Sequence, residues 1–135
     1  MRIVPDTNVF ISGVFWKGPP STVLDACSKG QVDLVLSPVI IEEYRRVGHD
    51  LADRYRSLDL DPIIDALVTA GSVVSDHELI ARVCSDPDDD KFLAAAVAGR
   101  ATFVISGDKA LLRVREYHGV RIASARQFVD GYLKD

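Results

Sequence analysis

The chain has little of what marks secreted, membrane or low-complexity proteins. It has two cysteines in 135 residues, Cys27 and Cys84, without metal-type spacing, which indicates reduced thiols rather than a disulfide. No stretch approaches the roughly 20 apolar residues of a membrane span, and no signal-peptide stretch opens the sequence. Nine glycines and six prolines are too few for a low-complexity chain. We therefore expect a cytoplasmic globular protein without a membrane segment.

The sequence also has fewer basic than acidic residues, 16 Lys and Arg against 20 Asp and Glu. The formal net charge of −4 argues against nucleic-acid binding through a broad basic surface, because such binding gains much of its affinity from Lys and Arg that neutralise phosphates. Part of the acidity can instead lie in a metal pocket, where a divalent ion reverses the local sign and attracts phosphate. The absence of a glycine-rich P-loop and of a Rossmann fingerprint excludes the commonest nucleotide sites.

What the sequence does contain is an alternation of strand-like and helix-like segments. We predict strands at 2–5, 32–36, 72–74, 101–106 and 120–123, and helices at 21–29, 38–47, 50–57, 61–70, 88–99, 108–114 and 125–132. This alternation predicts an α/β fold with a mainly parallel sheet covered by helices on both faces, in one domain over residues 1–135. Ligands bind such sheets outside the carboxyl ends of the strands, so acidic residues that follow strands are site candidates.

One candidate acid directly follows a predicted strand, and another lies on or beside the apolar face of a predicted helix. Asp6, in Asp6-Thr7-Asn8, directly follows the first strand, although the same residue types are also favoured in turns and caps. Glu43 lies in or beside the apolar stripe of helix 38–47, where a carboxylate is seldom buried without a partner. The alternative for Glu43 is a position on the rim of the stripe, from which the carboxylate reaches water.

Two further acidic motifs open predicted helices. The segment 86–91 has four acids in its first five positions, more than helix capping requires. Because residues 92–98 are apolar all round, Asp90 can point towards the sheet, and Asp88 or Asp89 is the expected cap. In Ser106-Gly107-Asp108-Lys109, the glycine permits a tight turn, and Asp108 either caps the next helix or enters the pocket.

The candidate ligands share one chemistry. The three histidines are isolated, so the acidic motifs offer hard oxygen atoms only. Such oxygens favour Mg²⁺ or Mn²⁺ over zinc, and these ions commonly serve phosphodiester chemistry. Each acid could be an independent cap, but a parallel α/β fold would bring strand ends and helix faces to one edge.

In order and separation, these motifs resemble those of PIN domains, and in particular the VapC-like toxins of bacterial and archaeal toxin-antitoxin pairs. The matching stretches are Val4-Pro5-Asp6-Thr7-Asn8-Val9, residues 34–38 followed by Glu42-Glu43-Tyr44, residues 86–94 and residues 105–112. The resemblance implies a three-layer α/β/α sandwich and a metal-dependent ribonuclease that hydrolyses RNA phosphodiester bonds. By motif match, the residues that bind Mg²⁺ or Mn²⁺ and catalyse would be Asp6, Glu43, Asp90 and Asp108, supported by Asn8 and Ser106.

The resemblance also implies partners: toxins of this type are typically dimers that a small antitoxin inhibits. We accordingly expect a homodimer, an antitoxin and an RNA substrate. The basic residues nearest the acidic motifs are the candidates for holding RNA, namely Arg45, Arg46, Lys91, Lys109 and Arg113. Two alternatives are a PIN-fold interaction module with weak catalysis and a phosphoacceptor receiver domain, although Thr7 replaces the second acid that a receiver needs after its first strand.

Overall fold

The computed structural model describes residues 1–55, 59–77, 79 and 83–133. Within these ranges six strands form one sheet: β1 (Arg2–Pro5), β2 (Asp33–Leu36), β3 (Ser72–Val73), β4 (Phe103–Ile105), β5 (Glu116–Tyr117) and β6 (Val120–Ala123). Their order is β3-β2-β1-β4-β6-β5; every neighbouring pair is parallel except β5 and β6. The predicted mainly parallel sheet is confirmed.

Helices flank this sheet and complete a three-layer α/β/α fold. In the same ranges they are α1 (Thr7–Phe15), α2 (Pro19–Ser28), α3 (Pro38–Tyr55), α4 (Asp61–Ala70), α5 (Asp90–Ala98), α6 (Lys109–Leu112) and α7 (Ala125–Tyr132). A 3₁₀ turn, Pro87–Asp89, precedes α5. Among the described residues, no helix has both the length and the apolar character that crossing a membrane requires.

The structure corrects the predicted helices in three places. The prediction missed α1, which begins after Asp6. The two helices predicted at 38–47 and 50–57 form a single helix, α3, and the predicted end at Ser57 lies outside the described residues. The helix predicted from residue 88 starts instead as a 3₁₀ turn, and the short antiparallel strand β5 was also missed.

The two central strands fix the position of the acidic motifs. β1 and β4 are neighbours, with Pro5 paired to Ile105, so the residues that follow them emerge at the same edge of the sheet. The backbone N–H of Asp6 donates to the Ile105 carbonyl at 2.8 Å, and that of Ser106 donates to Ala123 at 2.9 Å. Strand β1 ends at Pro5, as expected from a residue without an N–H.

Helix α3 is anchored over this edge by Tyr44. Its side chain is fully buried, its ring stacks on Phe10 of α1 with 3.9 Å between centroids, and its hydroxyl donates to the Pro5 carbonyl. Helix α5 packs on the strands with Leu93 and Ala96 completely buried. These contacts hold the acidic residues of α3 and of the turn before α5 beside the end of β1.

Candidate active site

An acidic cavity of about 200 Å³ lies at the carboxyl ends of β1 and β4. We call it the acidic cavity; it is lined by Asp6, Thr7, Asn8, Glu43, Val47, Asp88, Asp89, Phe92 and Asp108. The lining comes from four separate segments of the chain. The structure thus brings together three of the four predicted ligands, Asp6, Glu43 and Asp108, and places the exposed Asn8 with them.

Asp6 is the most deeply placed carboxylate of the cavity, with 6% of its surface exposed. One oxygen, Oδ1, accepts from the backbone N–H of Val9 at 2.9 Å and so caps α1, while Oδ2 accepts from the Ser106 hydroxyl. Burial raises the pKa of Asp6, these two hydrogen bonds lower it, and the nearby charges of Asp108 and Glu43 raise it. The net direction is upward, so this carboxylate is held in an environment that disfavours its charge.

Asp108 fulfils both functions that the sequence left open. Its Oδ1 accepts from the backbone N–H of Ala110 at 3.0 Å, which caps α6, and the residue also lines the acidic cavity. Its own N–H donates to the Ser106 hydroxyl at 3.0 Å. Ser106, which is fully buried, therefore links Asp6 and Asp108.

The acidic run before α5 is arranged differently from the prediction. Asp86, rather than Asp88 or Asp89, caps the 3₁₀ turn by accepting from the N–H of Asp88 at 3.0 Å. Asp90 does not line the cavity, because its two oxygens accept from the backbone N–H groups of Cys84 at 2.8 Å and Val83 at 3.3 Å. The inward position expected for Asp90 belongs to Asp89.

Asp89 has a strongly shifted pKa. Partial burial, followed by the negative charge of Asp108, raises the pKa of Asp89 to about 6. Asp86 and Asp6 add to the shift. Sequence reasoning missed Asp89 as a cavity residue; the excess of acids in this segment was the available signal, but it did not say which acid turns inward.

Glu43 has the partner that its position on the apolar stripe requires. Lys91 Nζ lies 2.7 Å from Glu43 Oε1 and 2.9 Å from Asp88 Oδ2, and the Thr7 hydroxyl donates to Glu43 Oε2. Burial by itself lowers the pKa of Lys91, but its bonds to Glu43 and Asp88 outweigh this and raise that pKa. Lys91 was predicted to hold RNA; here its ammonium group is an internal partner of two acids.

The other basic residues that were predicted to hold RNA differ in their exposure and in their ion pairs. Arg45 is tied to α4 through Asp61 at 2.9 Å and Asp65 at 2.5 Å. Arg46 is largely exposed and lies 3.7 Å from Glu43. Lys109 and Arg113 are both exposed; Lys109 begins α6 directly after Asp108, and Arg113 follows the last residue of α6.

The donors of the acidic cavity suit a hard divalent cation in their chemistry. They are carboxylate oxygens. Burial first, and then repulsion among the carboxylates, raises the pKa values of Asp6 and Asp89, and a bound cation would offset both effects. In the part of the chain that the structure describes, no three acidic, histidine or cysteine side chains are yet close enough to hold one ion. Both oxygens of Glu43 are already engaged, so ligation by Glu43 requires that it give up a present partner.

A larger cavity, of about 640 Å³, lies away from the acids between α1, α2 and α4. Its lining is mainly apolar and includes Val14, Leu24, Ile63 and Leu67. None of the predicted site residues contributes to it. The convergent carboxylates, and not the volume of the cavity, mark the candidate site.

Comparison with known proteins assigns this arrangement to a family. The family model described as PIN domain matches residues 2–110, a range that contains every acid of the cavity. The chain belongs to the PIN-domain family. PIN domains are generally nucleases, so the fold is of a nuclease type. The phosphoacceptor receiver alternative is thereby removed.

Two similar proteins align with almost the whole of this PIN-domain chain. The "Uncharacterized protein MJ1680" of Methanocaldococcus jannaschii is 29% identical over 148 residues, which cover 99% of this chain and 93% of that protein. The crystal structure of PAE2754 from Pyrobaculum aerophilum superposes with a TM-score of 0.61 at 14% identity, covering 98% of this chain and 90% of that one. The second likeness supports the fold alone.

Proposed function

We propose that this PIN-domain protein is a Mg²⁺- or Mn²⁺-dependent endoribonuclease that hydrolyses RNA phosphodiester bonds. The convergence of Asp6, Glu43, Asp89 and Asp108 on one cavity of a nuclease-type fold is the observation that supports this most strongly. These residues come from four separate segments, and independent helix caps would have no reason to meet. A cavity crowded with carboxylates is costly unless a cation or a proton offsets the repulsion.

Asp6, Asp89 and Asp108 would hold the ion, and Glu43 and Asp90 are the other candidates from the motif match. When bound, a divalent ion supplies positive charge beside the phosphodiester group and polarises water at neutral pH. The chain itself orients the site, because Ser106 and the Val9 N–H fix both oxygens of Asp6.

The RNA backbone would be bound at the rim of the acidic cavity. Arg46 and Lys109 are exposed beside its acids and can approach phosphates, and Arg113 is exposed at the other end of the short helix α6. Arg45 is a weaker candidate, because its guanidinium already binds two carboxylates of α4. The basic residues are few, so we expect the bound ion to contribute much of the attraction for RNA.

The biological assignment within this proposal is that of a toxin in a type II toxin-antitoxin pair. It rests on the motif resemblance to VapC-like proteins. Under this assignment, the protein has one nuclease domain over residues 1–135, forms a homodimer, is inhibited by a small antitoxin and is located in the cytoplasm. Co-expression with candidate antitoxins, read out by cell growth and by co-purification, tests this part separately from the chemistry.

The chemistry is tested by incubating the purified protein with structured and single-stranded RNA in Mg²⁺, Mn²⁺ or EDTA. Two double variants, Asp6→Asn/Asp89→Asn and Asp6→Asn/Asp90→Asn, are compared with Asp53→Asn/Asp130→Asn, which removes two exposed acids elsewhere. We expect cleavage by the wild type and this control in either metal and none in EDTA or in the two site variants. Failure of the wild type to cleave any RNA with either metal would contradict the ribonuclease.

A second candidate is a PIN-fold interaction module that cleaves little. It is favoured by the engagement of Glu43 with Lys91 and Thr7, which removes one acid from those free to bind an ion. In this case Mn²⁺ would leave the unfolding temperature unchanged and RNA would stay intact. Intact RNA with an unchanged unfolding temperature would indicate the interaction module. Intact RNA with an unfolding temperature raised by Mn²⁺ would indicate a metal site whose nuclease is selective for another RNA.

A further inference from the structure

The Lys91 ammonium group lies next to the acidic cavity, where it contacts two of the acids that line it. Only 12% of the Lys91 side chain and 13% of the Glu43 side chain are exposed, so the pair is largely shielded from water. Nζ contacts one oxygen each of Glu43 and Asp88, and it lies 5.3 Å from the centre of the Phe92 ring. These are the surroundings of a fixed internal cation.

The acids around the cavity therefore fall into two groups. Glu43 and Asp88 share the positive charge of Lys91, and the exposed Arg46 lies 3.7 Å from Glu43. Asp6, Asp89 and Asp108 form no ion pair with any residue in the described ranges, and hydrogen bonds from Ser106 and from backbone N–H groups are what hold the first and the last. Only this second group lacks a cation.

A divalent ion beside Glu43 would meet Lys91 at close range. Two cations that share the same carboxylate repel each other, and the repulsion is stronger where solvent screening is weak. Displacing Nζ would break its bonds to Glu43 and Asp88. The ammonium group, which is now shielded, would then be exposed to water or left without an anionic partner. The site beside Glu43 is therefore closed to a second ion while Lys91 is present.

We propose that Lys91 is the built-in second cation of the acidic cavity, so that the protein binds one divalent ion, at Asp6, Asp89 and Asp108, instead of two. This inference rests on the proposed metal-dependent hydrolysis and specifies its metal stoichiometry. Lys91 acts through Glu43, whose second oxygen accepts from Thr7, and is therefore a positioning residue. The ammonium group also joins α3 to α5 at the edge of the cavity.

The test counts bound Mn²⁺ per chain by the electron paramagnetic resonance signal of free Mn²⁺, at neutral pH, moderate salt and without RNA. We expect one ion for the wild type. Lys91→Met should bind two, because Glu43 and Asp88 lose their buried cation and become a second site. The largely exposed Arg46, 3.7 Å from Glu43, is a weak counter-charge that a divalent ion outcompetes. Lys29→Met, which removes the exposed lysine directly after α2, is the matched control and should bind one.

Two more variants keep the test independent of folding defects. Lys91→Gln retains hydrogen-bond donors towards Glu43 and should also bind two ions, which replaces Lys91→Met if that protein does not fold. Lys91→Met/Glu43→Gln removes both charges of the pair and should bind one. Two ions of similar affinity on the wild type, or one ion on a folded Lys91→Met or Lys91→Gln protein, would overturn the proposal.

RNA cleavage measured in parallel distinguishes this inference from the proposed function. One ion on the wild type and two on the Lys91 variants, without cleavage of RNA, would support the inference about Lys91 and contradict the ribonuclease. Cleavage by a wild type that binds two ions would support the ribonuclease and contradict the inference. A wild type that binds no ion would contradict both.

Discussion

The Ser106 hydroxyl donates a hydrogen bond to Oδ2 of Asp6, a residue 100 positions earlier in the chain. The same hydroxyl accepts from the backbone N–H of Asp108 at 3.0 Å. The parallel pairing of Pro5 with Ile105 brings these groups together, because each lies one or a few residues beyond its strand. The relative position of two acids in the cavity therefore depends on an uncharged side chain between them.

We expect Ser106→Ala to weaken both the fold and metal binding. Loss of a buried hydrogen bond to a carboxylate costs about 1 to 2 kcal/mol in the free energy of unfolding. The pKa of Asp6 should rise further, because the Ser106 bond is one of the contacts that lower it. Urea denaturation measures the first effect and Mn²⁺ titration the second.

Ser124→Ala is the matched control for this change. Ser124 caps α7 by accepting from the Gln127 N–H at 3.1 Å, so its loss costs a similar amount, about 0.5 to 2 kcal/mol. It lies outside the lining of the acidic cavity, and Mn²⁺ affinity should stay at the wild-type value. Equal Mn²⁺ affinities for Ser106→Ala and Ser124→Ala would show that Ser106 does not orient the acids.

The raised pKa of Asp89 predicts a pH dependence of stability in EDTA. Folding raises this pKa from 3.8 to about 6, so the folded protein binds the proton more tightly than the unfolded chain does. The stability that Asp89 contributes is fully present below about pH 4 and is lost as the pH rises through about 6. Because the residue is partly exposed, we expect the loss to be roughly 1 to 2 kcal/mol.

Asp89→Asn should remove this component. In EDTA at about pH 7 we expect the variant to be more stable than the wild type by roughly 1 to 2 kcal/mol, with the difference vanishing towards pH 4. Asp53→Asn removes an equal charge from an exposed position of α3 and serves as the control. Parallel stability curves for the wild type and Asp89→Asn between these pH values would refute the assigned shift.

The sequence predicted the architecture better than the detail of the acidic run. Buried strands bounded by polar residues, as at β1 and β6, have a strong pattern, and their bounds were predicted correctly. Helix α1 was missed because β-branched residues and Gly13 lower its helix propensity, and Asp6 looked like part of a turn. Gly48 lies between the two helices predicted at 38–47 and 50–57, and in the continuous α3 its missing Cβ lets Leu60 approach the helix.

The choice between Asp89 and Asp90 could not be predicted for a geometric reason. Because residues 92–98 are apolar all round, their pattern does not show which side of α5 faces the sheet, and a helical phase would hold only while the backbone stays α-helical. At Pro87–Asp89 the chain forms a 3₁₀ turn, with three residues per turn, so the phase changes before the helix begins. The hydrogen bonds that turn Asp90 towards Cys84 and Val83 involve a loop that no local pattern describes.

We expect Gly71→Ala to destabilise the fold by about 1 to 3 kcal/mol, as overpacked positions do. A Cβ at residue 71 would lie 2.6 Å from the Leu34 carbonyl oxygen, so β2 would have to shift. Gly131→Ala is the control, because a Cβ there, in the last turn of α7, meets nothing within 4 Å. That control should be neutral or more stable by about 0.5 to 1 kcal/mol, as measured by urea denaturation.

Mn²⁺ should raise the unfolding temperature of the wild type, because an ion that binds only the folded state stabilises it by about 2.7 kcal/mol at 100 times its Kd. Asp6→Asn and Asp89→Asn should lose most of this rise, since their carboxylates line the acidic cavity. Asp90→Asn should keep the rise but unfold at a lower temperature in EDTA, because it weakens the bonds to the Cys84 and Val83 N–H groups. Asp53→Asn should match the wild type in both conditions.

The reverse pattern would contradict this prediction. If the Mn²⁺ effect were lost in Asp90→Asn and kept in Asp89→Asn, the motif-based ligand set would be supported, and Asp90 would have to turn into the cavity when the ion binds.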